Sequence, residues 1–323
     1  MLKPFALACA TAVFAFGAAA AELKFANFAS PAHTVNAAII EKLNATLSAE
    51  TGGALTVRGY HGGELGSGPA EQYVRVVQGV ADMAWGLPGY TSSQFPKTMI
   101  VEMPGVLPED KPGYDALWDA FETHLSAEFP GTVPLALWTS EPNIIIMRDQ
   151  DVRAPSDFQG LRIRVAGATA GDVVEAMGGT PVQMPISQVY NALQTGLIDG
   201  VITVPSTVLT FKLDEVASSY ALGAPLGRLS FFTVMNAATY AALPADQRAA
   251  LDAIRGRPLS QSAEEGYLAA GSAGIAAARA AGNNTVIDLS SEEIDAFEAA
   301  LQDVTAAYVD AVGGAEVLAT LQQ

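Results

Sequence analysis

Two arginines stand two positions apart in an apolar segment of an acidic chain. The segment Gly160-Leu-Arg-Ile-Arg-Val165 is typical of a β-strand. Side chains alternate along a strand with a period of two, so Arg162 and Arg164 are predicted to share one face. A guanidinium at a strand end can hold a carboxylate through two parallel hydrogen bonds. The pattern leaves open the alternative that both arginines are solvated or paired with surface acids.

Patterns for other chemistry are absent from the sequence. His33, His61 and His124 lie far apart and form no close pair for a transition metal, so each is interpreted as a buried or surface histidine. The chain has no GxSxG motif, and the glycine-rich segment 62–68 matches neither GxGxxG nor a Walker loop with lysine. Asp199 is interpreted as a helix–strand connector, because no paired carboxylate accompanies it. The sequence therefore predicts no catalytic residue, no metal site and no cofactor.

The elements that must position the two arginines follow an α/β order. The first part of the chain alternates strands and helices, predicted at 22–27, 35–51, 54–60, 70–80 and 82–85. Parallel strands need crossover connections of a dozen or more residues, so this order indicates a parallel sheet with covering helices.

The same alternation restarts further along the chain and predicts a second sheet. Its strands are predicted at 144–147, 161–165, 180–184 and 197–204, and its helices at 169–177 and 186–195; a further strand is predicted at 229–236. The last third is predicted to be helical, with helices at 244–254 and 259–281 and an amphipathic helix from a capped start at Ser290 to about Val312. A helix over 259–281 is roughly 30 Å long at 1.5 Å per residue, so it can run across two lobes.

Composition and the first residues restrict the class of protein. The chain has 323 residues and a formal net charge of −17, which disfavours binding to nucleic acid and to anionic lipid. Residues 1–21 are typical of a secretory signal peptide, with Lys3, an apolar run and a cleavage site near Ala20-Ala21. Cleavage would remove Cys9, the single cysteine, and a mature chain without disulfides suits a large periplasmic protein. The alternative is a retained N-terminal membrane anchor.

Several longer stretches resemble the substrate-binding proteins of TRAP transporters, the tripartite ATP-independent periplasmic family that feeds organic acids to a cation-driven permease. The matching stretches are 153–165, 177–200, 211–216, 235–236 with 243–246, and, nearer the N-terminus, 62–66, 80–83 and 90–96. Together they span nearly the whole mature chain.

The resemblance implies a fold class and a division into lobes. The expected fold is α/β, a two-lobed periplasmic binding protein whose lobes close on a ligand and share one long helix. The expected boundaries are 1–21 for the signal peptide, 22–140 plus 230–268 for lobe I, and 141–229 plus 269–323 for lobe II.

The resemblance also implies ligand-binding residues. Arg164 falls on the family arginine that pairs with the ligand carboxylate, whereas Arg162 falls on a position outside the pocket. Thr203 stands where the family usually has an asparagine, and Asn143 aligns approximately with a second family arginine. With Gln188 in place of a usual glutamate, the site has one cation and one acceptor fewer, which disfavours a dicarboxylate or a sialic-acid-like ligand.

Apolar side chains are expected to complete the pocket, because open α/β sheets bind ligands at their strand ends. Those near such ends or at family cleft positions are Phe28, Trp85, Tyr90, Trp138, Ile186 and Phe211. Together they favour a monocarboxylate with an apolar or aromatic body.

The predicted function is a periplasmic solute-binding protein that captures a small organic carboxylate through Arg164 and delivers it to TRAP membrane permease subunits, with no direct membrane insertion. One alternative is a ligand sensor that docks on a periplasmic signalling receptor. Another is a periplasmic enzyme on the same fold, since a fold alone does not fix function.

Overall fold

The computed structural model describes residues 21–108 and 110–323. The predicted signal peptide and Cys9 therefore lie outside the described residues, except for Ala21, which begins the first strand.

The strands of the described chain fall into two sheets. They are β1 (Ala21–Ala26), β2 (Leu55–Tyr60), β3 (Met83–Gly86), β4 (Thr132–Thr139), β5 (Ile144–Met147), β6 (Arg162–Val165), β7 (Thr180–Gln183), β8 (Gly200–Thr203), β9 (Ser219–Leu222), β10 (Ser230–Asn236) and β11 (Thr285–Asp288). One sheet has the order β2-β1-β3-β10-β4 and the other the order β11-β9-β5-β8-β6-β7. We call the sheets and the helices packed on them the first and the second lobe.

Helices cover both sheets. The α-helices are α1 (Lys42–Glu50), α2 (Gln72–Val77), α3 (Gly113–Ala120), α4 (Ala168–Ala176), α5 (Val189–Thr195), α6 (Thr207–Thr210), α7 (Ala237–Ala242), α8 (Ala245–Ile254), α9 (Arg257–Ala281), α10 (Ser291–Leu301), α11 (Val304–Val312) and α12 (Ala315–Leu321). A π-helical stretch, Asn36–Glu41, precedes α1, and a 3₁₀ segment, Pro88–Gln94, follows β3.

The chain passes between the lobes in segments 140–143 and 223–229, and β10 returns from the second lobe to pair antiparallel with β3 and β4. The strand–helix–strand alternation accordingly gives parallel pairs within each lobe, such as β1 with β2 and β6 with β8. The α/β, two-lobed fold predicted from the sequence is confirmed.

The long helix α9 connects the two lobes. Leu259, Ala263 and Tyr267 recur every four residues and pack in the core of the first lobe, whereas Ala278 packs in a core of the second lobe. A proline in its first turn and Gly282, which ends it in the left-handed conformation with φ of 65°, set its limits. The predicted helix shared by both lobes is therefore present.

The C-terminal helices differ from the prediction. The capping box at Ser290 is present, with the Ser290 N–H donating to Glu293 Oε2 at 2.7 Å, but the single predicted helix is divided into α10 and α11. Phe297 of α10 packs in the second lobe, whereas Val309 and Leu321 of the last two helices pack in the first. The final helices thus return to the first lobe, although the predicted boundary assigned 269–323 to the second.

Candidate functional site

A cavity lies between the lobes, with about 370 Å³ of space that is not filled by protein atoms and is partly open to solvent. Seven of the nine predicted ligand-binding residues line it: Arg164, Thr203, Phe28, Trp85, Tyr90, Ile186 and Phe211. The lining therefore combines strand ends of the second lobe with aromatic side chains of the first.

Arg164 lies on strand β6, which pairs with β7 on one side and β8 on the other, and it is only 1% exposed. Its Nε–H donates to the Met184 carbonyl at 2.9 Å, and its Nη2 lies 3.5 Å from the Tyr90 hydroxyl. Burial lowers the pKa of the guanidinium, against an opposing effect of Tyr90. No carboxylate of the described chain pairs with it. A buried cation in this state is stabilised by an anion that enters the cavity.

Arg162, two residues earlier on the same strand, has a different environment. Its side chain is 45% exposed and binds Asp199 in a bidentate manner, with Nε–Oδ2 at 3.0 Å and Nη2–Oδ1 at 2.8 Å. The Arg162 N–H also donates to Asp199 Oδ2, and the guanidinium lowers the pKa of this carboxyl group. The alternative that an arginine of this strand pairs with a surface acid is therefore correct for Arg162 and not for Arg164.

Tyr90 belongs to the 3₁₀ segment Pro88–Gln94 of the first lobe, which we call the covering segment. Its hydroxyl oxygen accepts a hydrogen bond from the Ile186 N–H at 3.1 Å, in addition to its contact with Arg164. Because both hydrogen bonds use the oxygen as acceptor, the hydroxyl proton is available to an acceptor in the cavity.

The covering segment packs closely on the second lobe. Gln183 Nε2 donates to the Gly89 carbonyl at 3.2 Å, and the Ala168 N–H donates to Ser92 Oγ at 3.4 Å. At Gly167 an added Cβ would lie 2.7 Å from Gly89 Cα, so the two backbones approach more closely than a side chain allows. These contacts depend on the closed arrangement of the lobes.

Stacked rings form the apolar wall of the cavity. The Phe28 and Trp85 rings are stacked with centroids 4.3 Å apart, and the His33 ring lies 4.9 Å from Trp85. Trp85 Nε1–H donates to Asn27 Oδ1 at 2.9 Å, so the indole N–H is already satisfied and does not serve the cavity as a donor. The wall suits a flat apolar group.

Two hydroxyl groups in the lining have no hydrogen-bond partner in the described chain, Thr203 Oγ1 and Tyr267 Oη. Thr203 lies on β8, where Val201 stands opposite Arg164 in the β-ladder. Because Thr203 follows Val201 by two positions, it lies on the same face of the sheet as Arg164. Thr203 and Arg164 therefore reach the cavity from neighbouring strands.

Trp138 and Asn143 do not line the cavity, contrary to their predicted placement. Trp138 is fully buried on β4 and stacks on Phe231, with centroids 5.3 Å apart, so it supports a lining residue from behind. Asn143 lies where the chain passes between the lobes, and its Nδ2 donates to the Leu226 carbonyl at 3.1 Å. The position aligned with a second family arginine thus serves the interlobe connection.

Sequence reasoning missed other lining residues: His33, Leu87, Val204, Ser206, Thr207, Leu229, Phe231 and Tyr267. The four-residue spacing of Leu259, Ala263 and Tyr267 marks an inward face of α9, but it does not separate core from cavity. No sequence signal distinguishes His33. Burial lowers its pKa to about 4, so the ring is neutral at pH 7.

Other kinds of site are not formed by the described residues. Residues 21–108 and 110–323 contain no group of three or more His, Cys, Asp or Glu side chains placed to hold a metal ion. Within the same ranges no helix has both the length and the apolar character needed to cross a membrane.

The two lobes and the cavity between them define a class of protein, the two-lobed solute-binding proteins. Residues 25–311 match the family model of the bacterial extracellular solute-binding proteins, family 7. The chain belongs to this family, and the resemblance to TRAP solute-binding proteins is confirmed.

Individual relatives agree with this assignment. The C4-dicarboxylate-binding periplasmic protein DctP of Rhodobacter capsulatus is 30% identical over 200 residues, which are 60% of this chain and 58% of that protein. The chain thus spans less than two thirds of the length of this relative.

Solved structures match over more of the chain. A TRAP solute-binding protein from Rhodoferax ferrireducens T118, in complex with copurified benzoate, has a TM-score of 0.87 and 28% identity, covering 93% of this chain and 96% of that one. A TRAP periplasmic solute-binding protein from Bordetella bronchiseptica with bound mandelate has a TM-score of 0.84 and 24% identity, covering 93% and 97%. The second likeness concerns the fold alone.

Proposed function

We propose that the protein is a periplasmic receptor that captures a small organic monocarboxylate between its lobes and delivers it to a TRAP membrane permease. Arg164 pairs with the carboxylate, and the stacked rings of Phe28 and Trp85 hold an apolar, aromatic body. The protein acts by binding and release, without a chemical step.

The observation that carries this proposal is the state of Arg164. The guanidinium is buried, lines the cavity and has no acidic partner in the described chain. An unpaired buried charge costs several kcal/mol, so a folded protein that keeps one gains that energy when an anion binds. A carboxylate matches the planar guanidinium through two parallel hydrogen bonds. The Tyr90 and Thr203 hydroxyls add donors from both lobes.

The apolar wall supports an aromatic acid. Phe28, Trp85, Phe211 and Phe231 surround the cavity, and their burial of a ligand ring contributes roughly 25 cal/mol per Å² of apolar surface removed from water. The Rhodoferax ferrireducens protein, 28% identical to this chain, holds copurified benzoate. Both considerations favour a ligand of the benzoate type.

A C4 dicarboxylate is the second candidate, because the Rhodobacter capsulatus relative is named for this ligand. The cavity argues against it. Among the described lining residues Arg164 alone carries a positive charge, since His33 is neutral with a pKa of about 4 and Asn143 lies elsewhere. A second carboxylate would therefore be buried without a cation to pair with it.

Closure of the lobes gives the protein its function as a receptor. A ligand shifts the protein towards the closed state only through contacts that it makes in that state. Tyr90 of the first lobe meets Arg164 and Ile186 of the second beside the cavity, so a carboxylate bound there contacts both lobes at once. The closed, loaded form is the one presented to the permease.

A thermal-shift and calorimetric screen tests the proposal. The protein is unfolded, freed of any co-purified ligand, refolded, and mixed with benzoate, cyclohexanecarboxylate, succinate or uncharged benzyl alcohol. Benzoate is expected to raise Tm most, because ligand at 100 times Kd stabilises the folded state by about 2.7 kcal/mol. Benzyl alcohol and succinate are expected to shift Tm little. Binding of succinate but not of aromatic acids would contradict the proposal, as would binding of none of the acids.

A further inference from the structure

The glycine-rich turn that follows β2 has no part in the carboxylate site, but it is hydrogen-bonded to the wall of the cavity. The Gly62 N–H donates to the Ala29 carbonyl at 2.8 Å. The Gly63 N–H donates to the Asn27 carbonyl at 3.1 Å. Both glycines have positive φ, 62° and 82°, which residues with a side chain rarely adopt. The turn therefore bonds the backbone on both sides of Phe28, whose ring belongs to the wall.

The Asn27 side chain connects this turn to the second stacked ring. Asn27 is only 1% exposed, and its Oδ1 accepts the Trp85 Nε1–H and the Ala29 N–H, each at 2.9 Å. Its Nδ2 lies 3.0 Å from His61 Nδ1. Since Oδ1 receives two N–H donors, the orientation of the amide is fixed and Nδ2 donates to His61. Asn27 thus precedes Phe28 in the chain and holds Trp85 by its indole N–H.

His61 supports the Asn27 amide from the surface side. It directly follows β2 and is half-buried. Because the Asn27 amide is the donor, His61 Nδ1 accepts, and the proton of the neutral ring lies on Nε2. The ring lies against the backbone of Gly59, where an added Cβ would be 2.7 Å from His61 Cε1. The imidazole therefore has a defined place, and its acceptor faces Asn27.

The hydrogen bond from Trp85 to Asn27 is the directional restraint on the stack. The other partners of the Trp85 ring are Phe28, His33 and Phe231, with centroids at 4.3, 4.9 and 6.1 Å. Apolar burial is non-directional, whereas a hydrogen bond weakens steeply as its angle departs from linear. The single indole N–H therefore limits rotation of the ring more sharply than its packing does.

We propose that Asn27 and His61 are positioning residues that hold the Phe28–Trp85 stack in place and thereby set the selectivity of the cavity for a flat aromatic ring over an aliphatic one. Neither of the two lines the cavity, so both act through the stack. The inference rests on the proposed function and assigns one part of its selectivity to residues outside the cavity.

Asn27 and the carboxylate-pairing arginine have separate hydrogen-bond partners. Arg164 bonds the Met184 carbonyl and contacts the Tyr90 hydroxyl. The Asn27 N–H instead donates to the Tyr60 carbonyl at 2.8 Å, and the other partners of Asn27 also belong to the first lobe. A substitution of Asn27 is therefore expected to change the wall and to leave the pairing of the carboxylate intact.

Calorimetry with two acids of similar size tests the inference. Benzoate has a flat ring and cyclohexanecarboxylate a puckered one, and both carry the same carboxylate. The proteins are the wild type, Asn27→Leu, and Asn236→Leu as the matched control. Asn236 is likewise a buried asparagine of the first lobe, with two backbone N–H donors on its Oδ1 and the Val76 carbonyl as acceptor for its Nδ2, and it does not line the cavity.

The wild type and the control are expected to prefer benzoate by about 2- to 10-fold, the usual contribution of a favourable ring contact. In Asn27→Leu this preference should disappear while the affinity for cyclohexanecarboxylate is kept. His61→Phe, which keeps a ring but removes the acceptor, should lower the preference in the same direction. His61→Asn, whose side-chain oxygen can accept the Asn27 amide hydrogen, should restore it.

An unchanged preference in Asn27→Leu and His61→Phe would overturn the inference and leave the proposed function standing. Equal weakening of both acids in these variants would also overturn it, because a purely structural role lowers affinity without changing selectivity. If Asn27→Leu does not fold, the comparison of His61→Phe with His61→Asn decides the question. A wild type that binds both acids equally would overturn the inference alone, whereas binding of neither acid would remove the proposed function as well.

Discussion

The two ends of strand β6 place the same residue type in opposite environments. At one end Arg162 is 45% exposed and paired with Asp199, whereas two residues later Arg164 is buried and lacks an acidic partner in the described chain. The two arginines have the same side chain and lie on the same strand and the same face, so only their surroundings differ. Asp199 of the second lobe pairs with Arg162, whereas Arg164 lines the cavity beneath the covering segment and can pair with a ligand.

The comparison shows how a binding protein separates stability from function. The pair of Arg162 with Asp199 is an exposed ion pair of small energetic value. Arg164 is unfavourable for the empty protein and favourable for the loaded one, because its charge is compensated only when an anion binds. Substitutions at the two positions are expected to have opposite effects on folding and on binding.

The largest expected effect is that of Arg164→Met. Ligand affinity should fall by about 30-fold or more, since removing one partner of a buried charge pair costs about 2–5 kcal/mol. The empty variant should be as stable as the wild type or more stable, because an unpaired buried charge is replaced by an apolar side chain. Calorimetry with the strongest acid of the screen and urea unfolding measure the two quantities. Arg162→Met is the matched control and should bind normally, and similar loss of affinity in both variants would end the distinction.

A substitution where the two lobes touch should weaken the ligand binding that distinguishes Arg164 from Arg162. In Gly167→Val the new side chain meets the Gly89 backbone, and overpacking of this kind costs about 1–3 kcal/mol in the closed state. Affinity should therefore fall roughly tenfold, and small-angle scattering should show less compaction on ligand addition. The control is Gly171→Ala, where the nearest atom to the added Cβ is 3.8 Å away. Unchanged affinity in Gly167→Val would show that this closure is not needed for binding.

Substitutions of Thr203, on the strand next to Arg164, should have a smaller effect on ligand binding. Its hydroxyl has no hydrogen-bond partner in the described residues and lies on the face that carries Arg164. Thr203→Val should weaken acid binding by about 0.5–1.5 kcal/mol, the usual contribution of one hydrogen bond, whereas Thr203→Ser should retain it. Equal affinities of the Val and Ser variants in calorimetry would remove Thr203 from the site.

The smallest expected effect is on the free energy of unfolding, at the exposed pair of Arg162 and Asp199, and it depends on pH. Arg162 lowers the pKa of Asp199 in the folded protein, so ionised Asp199 contributes stability above its unfolded pKa of about 3.9. That contribution is lost as the pH falls through the folded pKa. Asp199→Asn should cost about 0.2–1 kcal/mol at pH 7, and its difference from the wild type should shrink as the pH falls below the unfolded pKa of about 3.9. A difference in urea unfolding that grows towards acid pH would contradict this assignment.

Much of the fold could be predicted from the sequence, because its central strands and long helix have strong patterns. The buried run Ile144–Met147 was predicted with the limits that β5 has, and the helix predicted at 259–281 corresponds to α9. The strands β4, β9 and β11 were not predicted. β4 contains Pro134, which argues against a strand, but β4 is an edge strand and its register shifts opposite Thr233/Val234, where a missing N–H is tolerated. β11 is a short edge strand whose exposed ends give no apolar alternation.

The candidate site was only partly predictable, because it depends on contacts between the lobes. Period-two alternation places Arg162 and Arg164 on one face but does not show that Tyr90 of the first lobe reaches the second of them. The distinction between Arg162 and Arg164 came from the resemblance to TRAP solute-binding proteins. Tyr267 and His33 were missed since inward-facing residues of a lobe become core or cavity according to what the other lobe leaves open.

A crystal structure of the protein with the strongest acid from the screen tests the central claim most directly. The account predicts that the ligand carboxylate forms two hydrogen bonds to the Arg164 guanidinium at about 2.7–2.9 Å, while Arg162 remains bound to Asp199. A ligand that lies in the cavity with its carboxylate away from Arg164, or one that binds outside the cavity, would contradict it.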